Sequence, residues 1–402
     1  MTAPTTTSLW HANAALPEYP PLHCAASADV CIIGAGIAGL STAYMLQRAR
    51  KSVIVIDAVG IGAGATGRST AHFFPPDERY FEIERRFGPV RVKLVADSYR
   101  QATNSVQSIV RTERIECEFE RLDGFLVNPD RAWDDTLERE YAVTSRLGLD
   151  VRRLERVPGI GFDTGPCLRF ANQAQFHPLK YLSGLARGIV RMGGRICGAT
   201  RALGVAGDNE VQHVETEAGT IAASAVVVAT NVPFDDRGAL QERQAGYQSY
   251  VVAVRVPRDA LPRLLLWATG APYYYVRVAS GPAGADYELL VVGGQDHIAG
   301  HAAHAQQRYD TIETWIRLRF SMAGRVDYRW SGAIMEPADG MPLLGRLVPQ
   351  RSNVYAISGD SGNGMTSCTA GAIVISDLIL GRHNPWTELY SPARTTLHQA
   401  GQ

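Results

Sequence analysis

An α/β fold, made of a Rossmann-type dinucleotide-binding domain and an interleaved, mostly antiparallel α+β domain, is predicted by three features of the sequence. Gly34-Ala35-Gly36-Ile37-Ala38-Gly39 is a G-x-G-x-x-G set between an apolar run and a segment of helical periodicity. Asp57 closes the next apolar run, eighteen residues past Gly39. Runs at 248–256, 273–278 and 288–292 alternate or stay apolar, as the strands of a separate, mostly antiparallel sheet do.

Residues 1–27 are rich in Thr, Ala and Pro and read as an extended polar lead-in, without the basic start and apolar run of a secretory signal. Val30-Cys31-Ile32-Ile33 predicts a buried parallel strand. Ile37 to Arg48 predicts a helix, with Leu40, Tyr44 and Leu46 at helical spacing, and Ser52 to Asp57 a second buried strand. Together they make a βαβ unit of about thirty residues. Residues 58–72 read as a loop of small residues. Residues 81–147 read as largely helical, with a strand pair at 119–122 and 124–127. Pro178 to Gly193 predicts a helix stopped by glycine, followed by several strands to Ala229. Thr311 to Phe320 is a helix candidate, Asn353 to Ser358 a buried strand, and Thr366 to Leu380 a long helix closed by Gly381.

In this setting the glycine set reads as a dinucleotide fingerprint. Gly34 permits a tight turn, Gly36 lets backbone approach a pyrophosphate, and Gly39 allows close helix–strand packing. The helix start at Ile37 and Ala38 offers N–H groups and partial positive charge to phosphates. Asp57 is placed to accept from a ribose hydroxyl. Two further segments separate FAD from NAD. The small-residue loop 62–70, with Ala65, Thr66, Arg68, Ser69 and Thr70, suits a flavin passing close to backbone. Gly359 to Thr366, with Gly362, Asn363, Gly364 and Met365, leaves room for a planar ring. The helix start there would stabilise the negative charge of reduced flavin near N1 and O2. Ala202, Ala229, Thr230 and Gly332 complete the candidate cofactor-binding set.

The chain resembles the D-amino-acid oxidase (DAO) superfamily, which includes glycine oxidase and monomeric sarcosine oxidase. The likeness runs from Ser8 to Arg394 and is nearest to the FAD portion of bacterial oxidoreductases that often carry a C-terminal Rieske domain. The segments that carry it are 67–72 (GRSTAH), 176–181 (FHPLKY), 293–297 (GGQDH), 330–332 (WSG), 336–342 (EPADGMP) and 361–366 (SGNGMT). The resemblance implies FAD bound in extended form, a smaller antiparallel domain covering the ring, and hydride transfer from an amine carbon to flavin N5. That gives an imine, which water hydrolyses. Gln295 stands where relatives usually have Glu. Some relatives attach flavin to Cys or His, but the comparable regions near Gly332 and Arg68 have neither, so non-covalent FAD is expected. The sequence stops where those relatives continue into a Rieske domain, so O2 or a separate electron carrier is the expected acceptor.

Substrate contacts are expected from the second domain. Arg277 is placed to grip a carboxylate, and Tyr250, Tyr274 and Tyr275 to wall an amine, with His297 beside them. An ordinary strand at 273–278 with Arg277 on its solvated face is the competing reading. His72, just past the flavin-adjacent loop, is either a ring or substrate contact or a structural histidine. Lys180 is either a cation near flavin N5 or a surface residue. Gly359-Asp360-Ser361-Gly362 imitates a serine-protease segment on the wrong fold. His297, His301 and His304 lack a carboxylate co-ligand, so no metal is expected.

Composition narrows the rest. Forty basic against forty acidic side chains argue against nucleic acid or an anionic membrane as partner. Six cysteines without a C-x-x-C pair leave no iron–sulfur or zinc ligand set and suit a cytoplasmic protein. The expected organisation is 28–105, 165–235 and 328–390 for the FAD-binding domain, 106–164 and 236–327 for the substrate domain, and a tail at 391–402. The expected activity is oxidation of an amine or amino acid. A dehydrogenase feeding a partner protein and a non-catalytic flavin-binding assembly protein are the rivals.

Overall fold

The computed structural model describes residues 7–76, 79–208, 210–231, 240–270, 273–300, 304–348 and 351–394. Among them the strand Ala26–Ile33 lies between two parallel neighbours, Gly219–Val228 and Val53–Ile56. Both its faces are covered, which is why Val30, Cys31, Ile32 and Ile33 are apolar at successive positions. Arg195–Cys197 extends the sheet in parallel beyond Val53–Ile56, and Arg351–Ser358 beyond Gly219–Val228. Leu343–Val348 closes that edge antiparallel. The helix Ile37–Arg48 packs against Gly364–Ile379 and Pro178–Arg191. Gly371 lets the helix Gly364–Ile379 sit close on the sheet, where a Cβ would stand 3.0 Å from Leu344 and 3.2 Å from Ile357.

The second sheet has the order Val326–Pro337, Gln244–Pro257, Tyr287–Ile298, Tyr274–Ser280, Leu265–Ala268, Glu120–Val127, Cys167–Gln175 and His72–Phe73, with Val151–Leu154 paired to Cys167–Gln175. Every pairing is antiparallel except that of Leu265–Ala268 with Glu120–Val127. One face, with Tyr250, Val252, Tyr274 and Val276, packs on the helix Ala305–Arg319. The other, with Val251, Ala253 and Val291, joins the main core.

The structure departs from the sequence expectations in several places. The lead-in is not simply extended: Leu9–Ala12 is a helix whose Leu9 and Trp10 are 1% exposed. Trp10 Nε1 donates to the Ser69 carbonyl at 2.6 Å and Ser8 Oγ to the Gly67 carbonyl. These residues enter the core by docking on a distant loop, and docking leaves no local periodicity to read. The strand pair expected at 119–127 is one strand, Glu120–Val127, whose register against Cys167–Gln175 shifts between Leu122 and Gly124. The loop 58–72 contains a short 3₁₀ turn, Ala65–Arg68, and ends in the strand His72–Phe73. Cys167–Gln175, within a segment expected in the FAD-binding domain, and Val326–Pro337, which straddles the expected boundary at 327/328, pair in the second sheet.

Candidate functional site

Ile33, Val228 and Ser358 are the last residues of three adjacent parallel strands, so three chain segments leave the first sheet at one edge. Ligands of open α/β sheets lie outside such an edge. A cavity of about 430 Å³ opens there and extends to the second sheet.

Its wall brings together all three segments singled out in the sequence. Gly34, Gly36, Ile37 and Ala38 come from the first turn, Ala65, Thr66, Arg68, Ser69 and Thr70 from the loop, and Gly362, Gly364 and Met365 from the last turn. Asp57, Ala202, Ala229 and Thr230 line it from the first sheet, and Gly332 from the second. Gly39, Gly359, Asn363 and Thr366 are not in the wall. A Cβ on Gly39 would stand 1.9 Å from the Gly34 carbonyl oxygen, so Gly39 serves the close crossing of turn and helix. Gly359 sits against Pro337 at a φ of +72°. Asn363 and Thr366 are buried next to the wall residues Gly362, Gly364 and Met365. Both amide atoms of Asn363 and the Thr366 hydroxyl find no partner among the described residues.

The first two segments are latched together. Thr66 Oγ1 accepts from Ile37 N at 3.1 Å, supplying the cap that Gly36 cannot. The Asp57 carboxylate accepts from Ala35 N at 2.8 Å and from the amides of Val59 and Gly60, so it fixes the turn as well as lining the wall. An extended dinucleotide fits this surface. The backbone at Gly64 is bare, since a Cβ there would meet nothing within 4 Å, and a Cβ at Gly36 would meet only Thr66 Oγ1, at 3.1 Å. Two helix starts face the cavity, and Arg68 adds positive charge.

The expected substrate residues divide. Tyr275 lines the cavity, and its hydroxyl lies 2.8 Å from Ser249 Oγ. Tyr250, Tyr274, Arg277, His72 and His297 do not line it. Arg277 is 3% exposed, and its Nη1 donates to the carbonyls of Thr70, Ala71 and Phe176 at 2.9 to 3.1 Å. It braces backbone from outside the wall, and it is not solvated either. Burial pushes its pKa down to about 9, which leaves it charged at neutral pH. His72 is buried between Thr70 Oγ1 and the Val276 carbonyl, and burial, with the charge of Arg277, lowers its pKa to about 3. The imidazole is enclosed, its ring 5.6 Å from that of Phe74 and 5.8 Å from that of Tyr275 between centroids. Tyr274 stacks on Trp315 with centroids 4.6 Å apart, on the opposite face of the sheet. Tyr250 packs there too, its hydroxyl 3.1 Å from His297 Nε2. Lys180 pairs with Glu118 at 2.6 Å, away from the wall. His301 lies outside the described residues, and among those described no group of three His, Cys, Asp or Glu is placed to hold a metal.

Phe74, Ser249, Tyr273, Asp296, Asp360 and Cys368 also line the cavity and were not read as site residues. Asp360 accepts from Met335 N at 3.2 Å, and burial pushes its carboxyl up to about 6. The signal for Phe74 was its place two residues past His72. Asp296 had none, because its orientation depends on a bulge described below.

No described helix is long and apolar enough to cross a membrane. The fold is shared with glycine oxidase from Geobacillus kaustophilus, at a TM-score of 0.75 and 19% identity, covering 92% of this chain and 99% of that one. In sequence the chain is 28% identical over 393 residues to the Bacillus subtilis (strain 168) protein named "Putative Rieske 2Fe-2S iron-sulfur protein YhfW", covering 97% of this chain and 76% of that protein. It is 26% identical to the gamma-glutamylputrescine oxidoreductase of Escherichia coli (strain K12), covering 90% and 87%. The family model described as "FAD dependent oxidoreductase" matches residues 29–378, which takes in the turns, the loop and most of the last helix. With that match over most of its length, the chain belongs to the DAO family of FAD-dependent oxidoreductases.

Proposed function

We propose that the protein oxidises an amine or amino acid at the carbon bonded to nitrogen, with FAD held non-covalently. The observation that carries this is one continuous cavity, lined by the glycine turns and helix starts of the first sheet and by aromatic rings and the Asp296 carboxylate from the second. FAD, when bound, supplies a hydride acceptor at N5. Phe74, Tyr273 and Tyr275 are those rings, and they orient a substrate carbon and exclude water. The imine product is then hydrolysed by water. O2 is the proposed acceptor of the electrons, with a separate carrier protein as the alternative. The names of the matched relatives, an amine oxidoreductase among them, support this reading. Six free cysteines suit the cytosol.

Anaerobic mixing with primary, secondary and N-methyl amines and with amino acids should bleach the flavin absorbance for at least one of them. No bleaching by any compound would overturn the proposal in favour of a flavin-binding assembly role. Slow reoxidation in air would favour the carrier over O2.

The mode of attachment is tested separately. Cys368 lines the cavity, but burial, with the nearby charge of Asp360, pushes its thiol far up, so it is not the thiolate that attachment needs. Acid precipitation should therefore leave the flavin in the supernatant. Flavin that stays with the pellet would contradict non-covalent binding.

A further inference from the structure

The strands Gln244–Pro257 and Tyr287–Ile298 pair regularly from Pro257 to Tyr250, which faces Gly294, and resume at Gln248, which faces His297. Between those pairs one residue, Ser249, opposes two, Gln295 and Asp296. This is a β-bulge, and bulges re-aim side chains beside functional sites. Gln295 takes a φ of +60°, a strained value for a residue with a side chain, so the bulge is held against a local cost. Its effect is to turn Asp296 into the cavity. Asp296 lines the cavity and keeps an exposed surface there.

Asp296 does not stand alone there. Its carboxylate accepts from Ser249, and Ser249 Oγ lies 2.8 Å from the Tyr275 hydroxyl. The Tyr275 ring occupies the space over Gly293, where a Cβ would lie 2.1 Å from ring atoms, so Gly293 must be glycine for the ring to lie there. Tyr273 adds a second ring, 5.7 Å away between centroids. A carboxylate beside two aromatic rings is a recognition site for an organic cation. Arg277, the expected carboxylate group, spends Nη1 on three backbone carbonyls and is absent from the wall, and Arg68, which is in the wall, turns Nη1 to the Ser331 carbonyl at 3.3 Å. Arg308 bonds the Gln295 carbonyl at 2.7 Å and His297 meets Tyr250, both outside the wall.

Building on the function proposed above, we infer that Asp296, held by Ser249 beside Tyr275, is the ammonium-binding group of the cavity. The preferred substrate is then a cationic amine recognised at its nitrogen, not an α-amino acid gripped by its carboxylate. The same group removes the proton that blocks oxidation. R–CH2–NH3⁺ gives its proton to the Asp296 carboxylate, leaving R–CH2–NH2. The C–H bond then breaks, with its hydrogen and two electrons passing to FAD, and the nitrogen lone pair forms the C=N bond of R–CH=NH2⁺. Partial loss of hydration at the cavity wall raises the Asp296 carboxyl above its ordinary range, against the Ser249 hydrogen bond and the charges of Arg308 and His297, which oppose the rise.

The test compares n-butylamine with 2-aminopentanoate, which is the same chain bearing an α-carboxylate. It uses flavin-loaded wild type, Asp296→Asn and Asp296→Glu. Flavin content and melting temperature are recorded for each, and the perturbation of the flavin spectrum by n-butylammonium gives a dissociation constant independent of turnover. The wild type should bind and be reduced by the amine in preference to the amino acid. Asp296→Asn should weaken n-butylammonium binding ~10- to 100-fold, with Asp296→Glu recovering part of the loss. If the amino acid is preferred, or if Asp296→Asn binds n-butylammonium as well as wild type while holding its flavin, the inference fails and amine oxidation can still stand. If neither compound reduces the flavin, the oxidation proposal is in question, and the dissociation constants still decide the role of Asp296.

Discussion

Gly36→Leu should yield a folded protein that no longer retains flavin. The three glycines of the first turn have different physical reasons to be glycine, and only one of these depends on a ligand. Gly34 has a φ of +115°, and a Cβ there would lie 2.5 Å from the Ala229 carbonyl oxygen. Gly39 would press its Cβ onto the Gly34 carbonyl. Substituting either disrupts the turn itself. Gly36 has an ordinary extended backbone, φ −85°, and its Cβ would meet only Thr66 Oγ1, at 3.1 Å. The loss of glycine from a helix N-cap costs about 1 kcal/mol or less. The leucine side chain would instead project into the cavity where the pyrophosphate is expected. The ratio of flavin to protein absorbance should fall to about a tenth of wild type or lower, as bulk in a close backbone contact requires. The melting temperature of the apoprotein should stay within about 4 °C of wild-type apoprotein. A leucine variant that keeps its full flavin content would contradict the placement of the dinucleotide.

Arg277→Met should lower stability by about 3 kcal/mol or more, because three buried carbonyls lose a charged donor together. Two of those carbonyls, on Thr70 and Ala71, end the loop that lines the cavity. The guanidinium also lies 5.2 Å from the centroid of the Trp10 ring, which holds Ser69 from below. Flavin retention should therefore fall with stability. In the fraction that keeps flavin, KM for amine and amino-acid substrates should stay near wild type. A carboxylate clamp would behave in the opposite way, raising KM for amino acids selectively at unchanged melting temperature. That outcome would restore the role expected from the sequence.

The two predictions mark where the sequence was readable. The cofactor cavity rests on short-range rules: glycine spacing between a strand and a helix, and small residues after an acidic strand end. Such rules survive without knowledge of distant partners, and the segments at 34–38, 65–70 and 362–365 do meet in one wall. The substrate end depends on long-range register. Tyr273, Tyr275 and Arg277 share one face of their strand by the period of two. The cavity ends after Tyr275, so Arg277 lands on Thr70 and Ala71 instead. Tyr250 and Tyr274 fall on the other face, against the helix Ala305–Arg319. Asp296 was invisible because strict alternation breaks at Gln295, and nothing in the local residue types announces that break. Trp10 was missed because its partner is some sixty residues away.

The order in which the wall is assembled has a consequence for biosynthesis. Trp10 supports the loop from one end of the chain, while Asp360, Gly362, Gly364, Met365 and Cys368 supply wall from near the other. A nascent chain that has emerged only as far as residue 350 already carries the whole glycine fingerprint, yet its would-be flavin pocket is open on one side. A complete wall therefore waits for the helix Gly364–Ile379, and the fingerprint alone does not make a holoprotein.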